Sequence, residues 1–140
     1  MNLDAPHNFS ARHGHGQCVV CGQSGFGSLK LAFIPEKDGS VHGGFVSGPH
    51  VQGYDNLVHG GVIATLLDAA MTHCLFHHGI TALTADLHVR YVRPVVCGRH
   101  LDIGAQITKV SHPIYFVRAE ILSEGAVAAW AEAKFLPKKT

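Results

Sequence analysis

The chain has almost no net charge: 10 acidic and 11 basic side chains leave a formal +1 at pH 7. That balance gives no electrostatic footprint for nucleic acid or for an anionic membrane surface. No apolar run approaches the roughly 20 residues needed to span a bilayer. Met1 to Ser10 contains Asp4 and no apolar core, so no secretory signal is expected. Without one, the four cysteines are expected to be reduced thiols in a cytoplasmic protein. Internal repeats and low-complexity tracts are also missing. What is there is one domain of ordinary size, 140 residues with 46% apolar side chains, enough for one packed core.

Residues 1–27 have no sustained apolar period and are rich in Gly, His and Ser, so they read as an irregular leader. The folded domain is expected over 28–140. Ser28 to Ile34 alternates and predicts a strand, ended by Pro35 and the turn Lys37-Asp38-Gly39-Ser40. Val41 to Ser47 returns as its hairpin partner. His50 to Val58 is a loop. Thr81 to Tyr91 alternates again, with Leu83, Ala85, Leu87, Val89 and Tyr91 on one side and Thr84, Asp86, His88 and Arg90 on the other. Leu101 to Val110, Ile114 to Leu122 and Val127 to Leu136 follow, separated by short turns, which predicts an antiparallel meander. One long apolar helix with five or six long strands implies an α+β fold, a curved sheet wrapped around that helix.

The helix is expected from His59 to His77, about 30 Å long, with Gly79 ending it. Ile63, Leu66, Leu67, Ala70, Met71 and Cys74 follow the helical period and form its buried face. Gly61, Thr65, Asp68 and Thr72 fall on the opposite side. That stripe is small and polar with few charges, so it suits a cleft or a second subunit better than open water. Gly60-Gly61 at the helix start lets a ligand approach backbone N–H groups that have no helical acceptor. The same end carries partial positive charge, which suits an oxyanion. A lone Asp in an apolar helix is costly to bury and asks for a reason. Amides that polarise a carbonyl and a carboxylate that drives attack together suggest acyl transfer. The plain structural alternative is an interface Asp satisfied by Thr72 or by backbone.

Twelve histidines are unusual. His13 and His15 with Cys18-x-x-Cys21 could supply four ligands to a metal. One Cys-x-x-Cys is half a site, however, and His-x-His is not a standard partner spacing, so a reduced thiol pair and no metal are expected. His73, His77 and His78 have ligand-like spacing but lie at a helix end, where cationic His suits the dipole. Cys74 and Cys97 are expected to be inert.

At this point several segments carry a family resemblance. They are Cys18-Val19-Val20-Cys21-Gly22, Gln52-Gly53-Tyr54, the His59 to Asp68 run, and Arg90-Tyr91-Val92-Arg93-Pro94. Over about residues 17 to 136 the chain resembles the hotdog-fold acyl-CoA thioesterases, most nearly the phenylacetic-acid-degradation type. The resemblance implies hydrolysis of acyl-CoA to free acid and CoA without a cofactor. It implies a homodimer joined sheet edge to sheet edge, paired again into a dimer of dimers, with two sites at each interface. By the same resemblance the Gly60 N–H polarises the thioester, with Gly61 assisting. Asp68 of the partner's helix acts as base or nucleophile. Thr72, one turn later, helps place water or the acid. Gln52 contacts the thioester oxygen, Thr84 holds water, and His59 orients the loop. Arg90 and Arg93, like Arg99 and Lys109, could hold CoA phosphates or be solvated strand residues. A non-catalytic acyl-CoA-binding hotdog protein is the first alternative. A hotdog hydratase is less favoured, since no Asp-x-x-x-x-His motif lies on the helix.

Overall fold

The computed structural model describes residues 12–23 and 27–139. The reading of Met1 to Ser10 as a segment without a secretory signal lies outside the described residues. Two short strands come first, β1 (Ile34–Pro35) and β2 (Val41–Val46), followed by a 3-10 turn at Pro49–Val51. The helix α1 spans Gly60–His77. Four long strands complete the chain: β3 (Ala82–Tyr91), β4 (His100–Ser111), β5 (Ile114–Ser123) and β6 (Ala126–Pro137). They form one six-stranded sheet in the order β1-β2-β4-β5-β6-β3, antiparallel throughout. The helix touches β2, β3, β4, β5 and β6, so the sheet wraps it. This is the curved sheet around one helix expected from the α+β pattern, and the hotdog arrangement that the family resemblance implies.

The helical period selects the core as expected. Ile63, Leu66, Leu67, Ala70, Met71 and Cys74 are all buried. Opposite them stand Leu101, Ile103 and Ala105 of β4, then Val117, Ala119 and Ile121 of β5. Ala129, Ala131, Ala133 and Phe135 of β6 complete the wall. The alanine row leaves room for the helix to sit close to the sheet. Burying each large aliphatic side chain is worth about 1.5–3 kcal/mol. Several of them outweigh any single cap, so packing sets the helix position. Gly79 ends α1 at φ +74, with the Ile80 amide on the Leu75 carbonyl and the Gly79 amide on the Phe76 carbonyl. That pairing satisfies the last carbonyls of the helix. No helix is long and apolar enough to cross a membrane among the described residues.

Two strand readings need correction. The expected strand over Ser28 to Ile34 pairs with β2 only at Ile34–Pro35. Lys30 adopts φ 55, a left-handed conformation that interrupts an extended run. The amides of Leu29 and Leu31 instead reach the carbonyls of Val19 and Val20. The leader is therefore the partner of this stretch, and Val20, Cys21, Leu31 and Phe33 are buried with it.

The second correction concerns β3. Its register against β6 shifts between Thr84 and Asp86, which is a β-bulge at Ala85. A bulge places two residues opposite one and reverses the alternation. Ala82 and Thr84 therefore share the helix-facing side with Leu87, Val89 and Tyr91. Asp86, His88 and Arg90 take the outer face, opposite Lys134, Glu132 and Trp130. A strict period of two had put Thr84 on the same side as Asp86, His88 and Arg90.

Candidate active site

The first turn of α1 supplies one half of the site. His59 caps it: its Nδ1 accepts the Gly61 N–H at 2.8 Å. The Val62 and Ile63 amides go to the His59 carbonyl. The Gly60 N–H donates to no group among the described residues. It is therefore the amide left at the positive end of the helix, where an incoming oxygen can accept from it. The Gly61 amide, expected to assist, is already occupied by the imidazole. The Tyr91 hydroxyl donates to the Gly60 carbonyl at 2.7 Å, which pins the turn to β3. A cavity of about 460 Å³ opens here, lined by Tyr54, Leu57, His59, Gly60, Pro94 and neighbours.

The middle of α1 supplies the other half. Asp68 is half-buried and its Oδ1 accepts the Thr84 hydroxyl at 2.6 Å. The bulge in β3 is what aims that hydroxyl at the helix. Thr65 and Thr72 lie on the same stripe, and the Thr65 hydroxyl donates to the Gly61 carbonyl at 2.8 Å. Asp68, Thr72 and Thr84 line a cavity of about 360 Å³ with Thr65, Ala69 and Leu87. Thr84 fixes one carboxylate oxygen of a side chain that lines the cavity.

Within one chain these halves do not meet. Eight helical residues separate Gly60 from Asp68, about 12 Å along the axis. They also open into different cavities. Three other expected contacts do not join either group. The Gln52 Oε1 accepts the Asn56 amide of its own loop at 3.2 Å, and Gln52 lines neither cavity. Arg90 lies on the outer face of the sheet, away from α1. The Arg93 guanidinium donates to the Val127 carbonyl through Nε (3.3 Å) and one terminal nitrogen (3.2 Å), tying the segment after β3 to β6. Arg99 pairs with Glu124, and Lys109 sits over the Phe116 ring.

Sequence reasoning missed several residues around Asp68. His15, Cys18, Cys21 and His73 line the same cavity. The leader folds back over the C-terminal half of α1, where His13 stacks on Phe76 at 4.3 Å and His15 meets it edge-on at 4.9 Å. Burial pulls the pKa of His15 below its ordinary value, with the Asp68 charge opposing. Burial also drives His73 down to about 3, aided by His15, His77 and His13 nearby. An aperiodic leader gives no pattern from which these contacts can be read. Tyr91 was also missed as a partner of Gly60, although the helix-facing parity of the strand marks it.

A six-stranded antiparallel sheet wrapped around one helix, with a carboxylate over a cavity and an acceptorless amide at the helix start, defines a hotdog-fold protein. Residues 55–131 match the family profile of the thioesterase superfamily, and the chain belongs to that family. It is similar to the mouse acyl-coenzyme A thioesterase THEM4, 33% identical over 92 residues that make up 66% of this chain and 40% of that protein. A crystal structure of a thioesterase superfamily protein superposes with a TM-score of 0.80 at 28% identity, over 84% of this chain and 62% of the other. The phenylacetic acid degradation protein PaaI of Thermus thermophilus shares the fold, with a TM-score of 0.71 at 21% identity over 79% of this chain and 95% of the other. The chain thus spans less than half the length of the mouse relative.

Proposed function

We propose that this chain hydrolyses acyl-CoA thioesters to free acid and CoA, at sites shared between two copies. The observation that carries this is the pair of half-sites on α1: an amide at Gly60 without an acceptor, and a carboxylate at Asp68 held through one oxygen by Thr84. Membership of the family and the likeness to an acyl-CoA thioesterase support the substrate class. The separation of the half-sites supports a second copy. The edge strand β3 does so as well, because it exposes Leu83, Tyr91 and the following Val92 at 58%, 51% and 51% beside an unpaired ladder edge. An apolar, unpaired edge of this kind favours pairing with another strand. Joining two β3 edges would bring the Gly60 turn of one protomer towards Asp68 of its partner.

In this arrangement the thioester oxygen accepts the Gly60 N–H. Asp68 of the partner takes a proton from water, and the hydroxide adds to the carbonyl carbon. The tetrahedral oxyanion is held by the same amide, a donor worth about 3 kcal/mol when lost from such a site. Collapse breaks the C–S bond, CoA leaves as thiolate, and the Asp68 proton passes to it. Alternatively Asp68 attacks the carbonyl and a mixed anhydride is hydrolysed in a second step. Thr72 and Thr84 position the water and the acid, and His59 acts through the cap. Gln52 stays with its own loop, and Arg90 and Arg93 stay candidates for the CoA phosphates outside the reacting centre. The unbridged thiols suit the reducing cytoplasm.

A thiol-release assay over a panel of acyl-CoA esters tests the reaction, and sedimentation tests the assembly. Turnover by a dimer, or by a dimer of dimers, is expected. Binding of acyl-CoA without thiol release would assign a non-catalytic carrier, and a stable monomer would remove the composite site. Single turnover in oxygen-18 water separates the two routes, since label enters Asp68 only through the anhydride.

A further inference from the structure

The described part of the leader, residues 12–23, is held against α1 without a regular ladder of its own. The Cys18 amide donates to the His15 carbonyl at 3.1 Å, and the Gly22 amide to the Cys18 carbonyl at 2.9 Å. These bonds wind residues 15–22 into two successive tight turns. Gly22 is needed for the second, since a Cβ there would lie 2.5 Å from the Cys18 nitrogen. The turns bring three side chains to one point. His15 Nδ1 lies 3.3 Å from Cys21 Sγ, and the ligand atoms of His15, Cys18 and Cys21 all lie within 4.8 Å of one another. The Val20 amide is aimed at Cys18 Sγ at 3.3 Å. Backbone N–H donors on a ligand sulfur are the kind of outer contact that orients metal ligands.

We infer that His15, Cys18 and Cys21 hold one zinc ion, which clamps the leader over the Asp68 cavity. Two thiolates and an imidazole are the donor set that zinc takes in tetrahedral sites. With Zn–S near 2.3 Å, tetrahedral ligands stand about 3.7 Å apart, so these atoms need shifts of about 1 Å or less to close on the ion. Binding releases two thiol protons to solvent and leaves both sulfurs at the same oxidation state. All three side chains line the cavity that contains Asp68, so the fourth position is left to water from that cavity. The sequence expectation of no metal rested on one Cys-x-x-Cys being half a site and on the spacing of His13 and His15 as its partners. One histidine suffices once the leader turns back on itself. His13 stacks on Phe76 instead.

The test uses the full chain without a histidine tag, purified under reductant, with zinc read by elemental mass spectrometry. About one zinc per chain is expected, falling below about a tenth in Cys18→Ser and His15→Asn. Asp68→Asn and His112→Asn should retain it. Cobalt(II) exchange should give the thiolate-to-metal charge-transfer band and the strong d–d bands of a tetrahedral site. If the variants fail to fold, a chelator on the wild-type chain takes their place: zinc loss should speed amide exchange at residues 18–22 and leave β4 to β6 protected. Absence of zinc together with no charge-transfer band on cobalt titration overturns the site. Zinc retained in the Cys18→Ser/Cys21→Ser double variant, or a Cys18–Cys21 disulfide under reductant, does the same. Metal content is read without turnover, so this result is independent of the hydrolytic reading.

Discussion

The Gly60 turn and the Asp68 turn belong to one helix but are built from different material. At Gly60 the proposed working group is a backbone amide, kept available because His59 takes the next one and Tyr91 pins the carbonyl. No side-chain substitution deletes it. At Asp68 the proposed working group is a side chain, half-buried, aimed by one hydroxyl that reaches it from beyond a bulge in the edge strand. A single change removes it. The N-terminal half of the proposed centre should therefore bend under mutation, and the middle should break.

The sharpest test of that contrast is Asp68→Asn. The amide keeps the shape and still accepts the Thr84 hydroxyl, but it neither takes a proton from water nor forms an anhydride. Turnover should fall by about 10²–10⁴-fold, the range for loss of a general base, with the melting temperature nearly unchanged. Near-wild-type thiol release from this variant would end the assignment of Asp68. Thr84→Val is the next step down. It leaves the carboxylate in place but removes its hydroxyl partner, a charge-assisted bond worth about 1.5–3 kcal/mol at most. About a tenfold loss of kcat is expected, with KM little changed, because the carboxylate loses its aim and keeps its charge. Steady-state kinetics on one acyl-CoA ester would separate the two parameters.

How much of this centre could be read in the sequence follows the same division. The helix and its stripe were legible because the 3.6-residue period of Ile63, Leu66, Leu67, Ala70, Met71 and Cys74 leaves Thr65, Asp68 and Thr72 together on the other side. Thr84 was suggested only by family resemblance, and its side of the strand was misread. A bulge has no composition signature here, since Leu83-Thr84-Ala85-Asp86 alternates as well as any regular strand. For the arginines alternation fixes only a side: Arg90 follows the period of Asp86 and His88 to the outer face, opposite Trp130. The leader was the least legible part. Its contacts depend on where the turns at Cys18 and Gly22 carry the chain, and an aperiodic segment encodes no face. Its covering of Phe76 and its approach to Asp68 come from tertiary packing alone.

His59→Ala probes the robust half. It removes the cap on Gly61 and should cost about 1 kcal/mol, the usual scale for loss of a helix cap. For a domain of this size that lowers the melting temperature by about 3–4 °C. The Gly60 amide is unaffected and the Gly61 amide is released, so kcat should change by less than about threefold. A loss of kcat comparable to that of Asp68→Asn, with no loss of stability, would place His59 in the chemistry itself and erase the contrast between the two turns.

The smallest expected effect lies on the flank of α1 that the leader covers. His73 is 2% exposed and packs on Phe33 and Phe76, with the rings at 5.0 and 5.2 Å. The groups that bear on its charge are His13 and His15 from the leader and His77 one turn along the helix. Their electrostatic effect adds to burial in opposing its protonation, and its pKa falls from 6.5 to about 3. The unfolded chain takes up this proton near pH 6.5 and the folded chain does not. Stability is therefore complete above pH 6.5 and drains as the pH falls towards 3, by at most about 1.4 kcal/mol per pH unit. Between pH 7.5 and pH 6.0 the loss from this residue should be about 0.8 kcal/mol. His13, His15 and His77 are shifted in the same direction, so the total slope does not isolate His73. The difference between wild type and His73→Phe does. Urea unfolding at the two pH values should give the variant the flatter profile by about that amount. Equal slopes would mean that His73 is protonated in the folded chain, and that the leader covers this flank less tightly than the sheet covers the other.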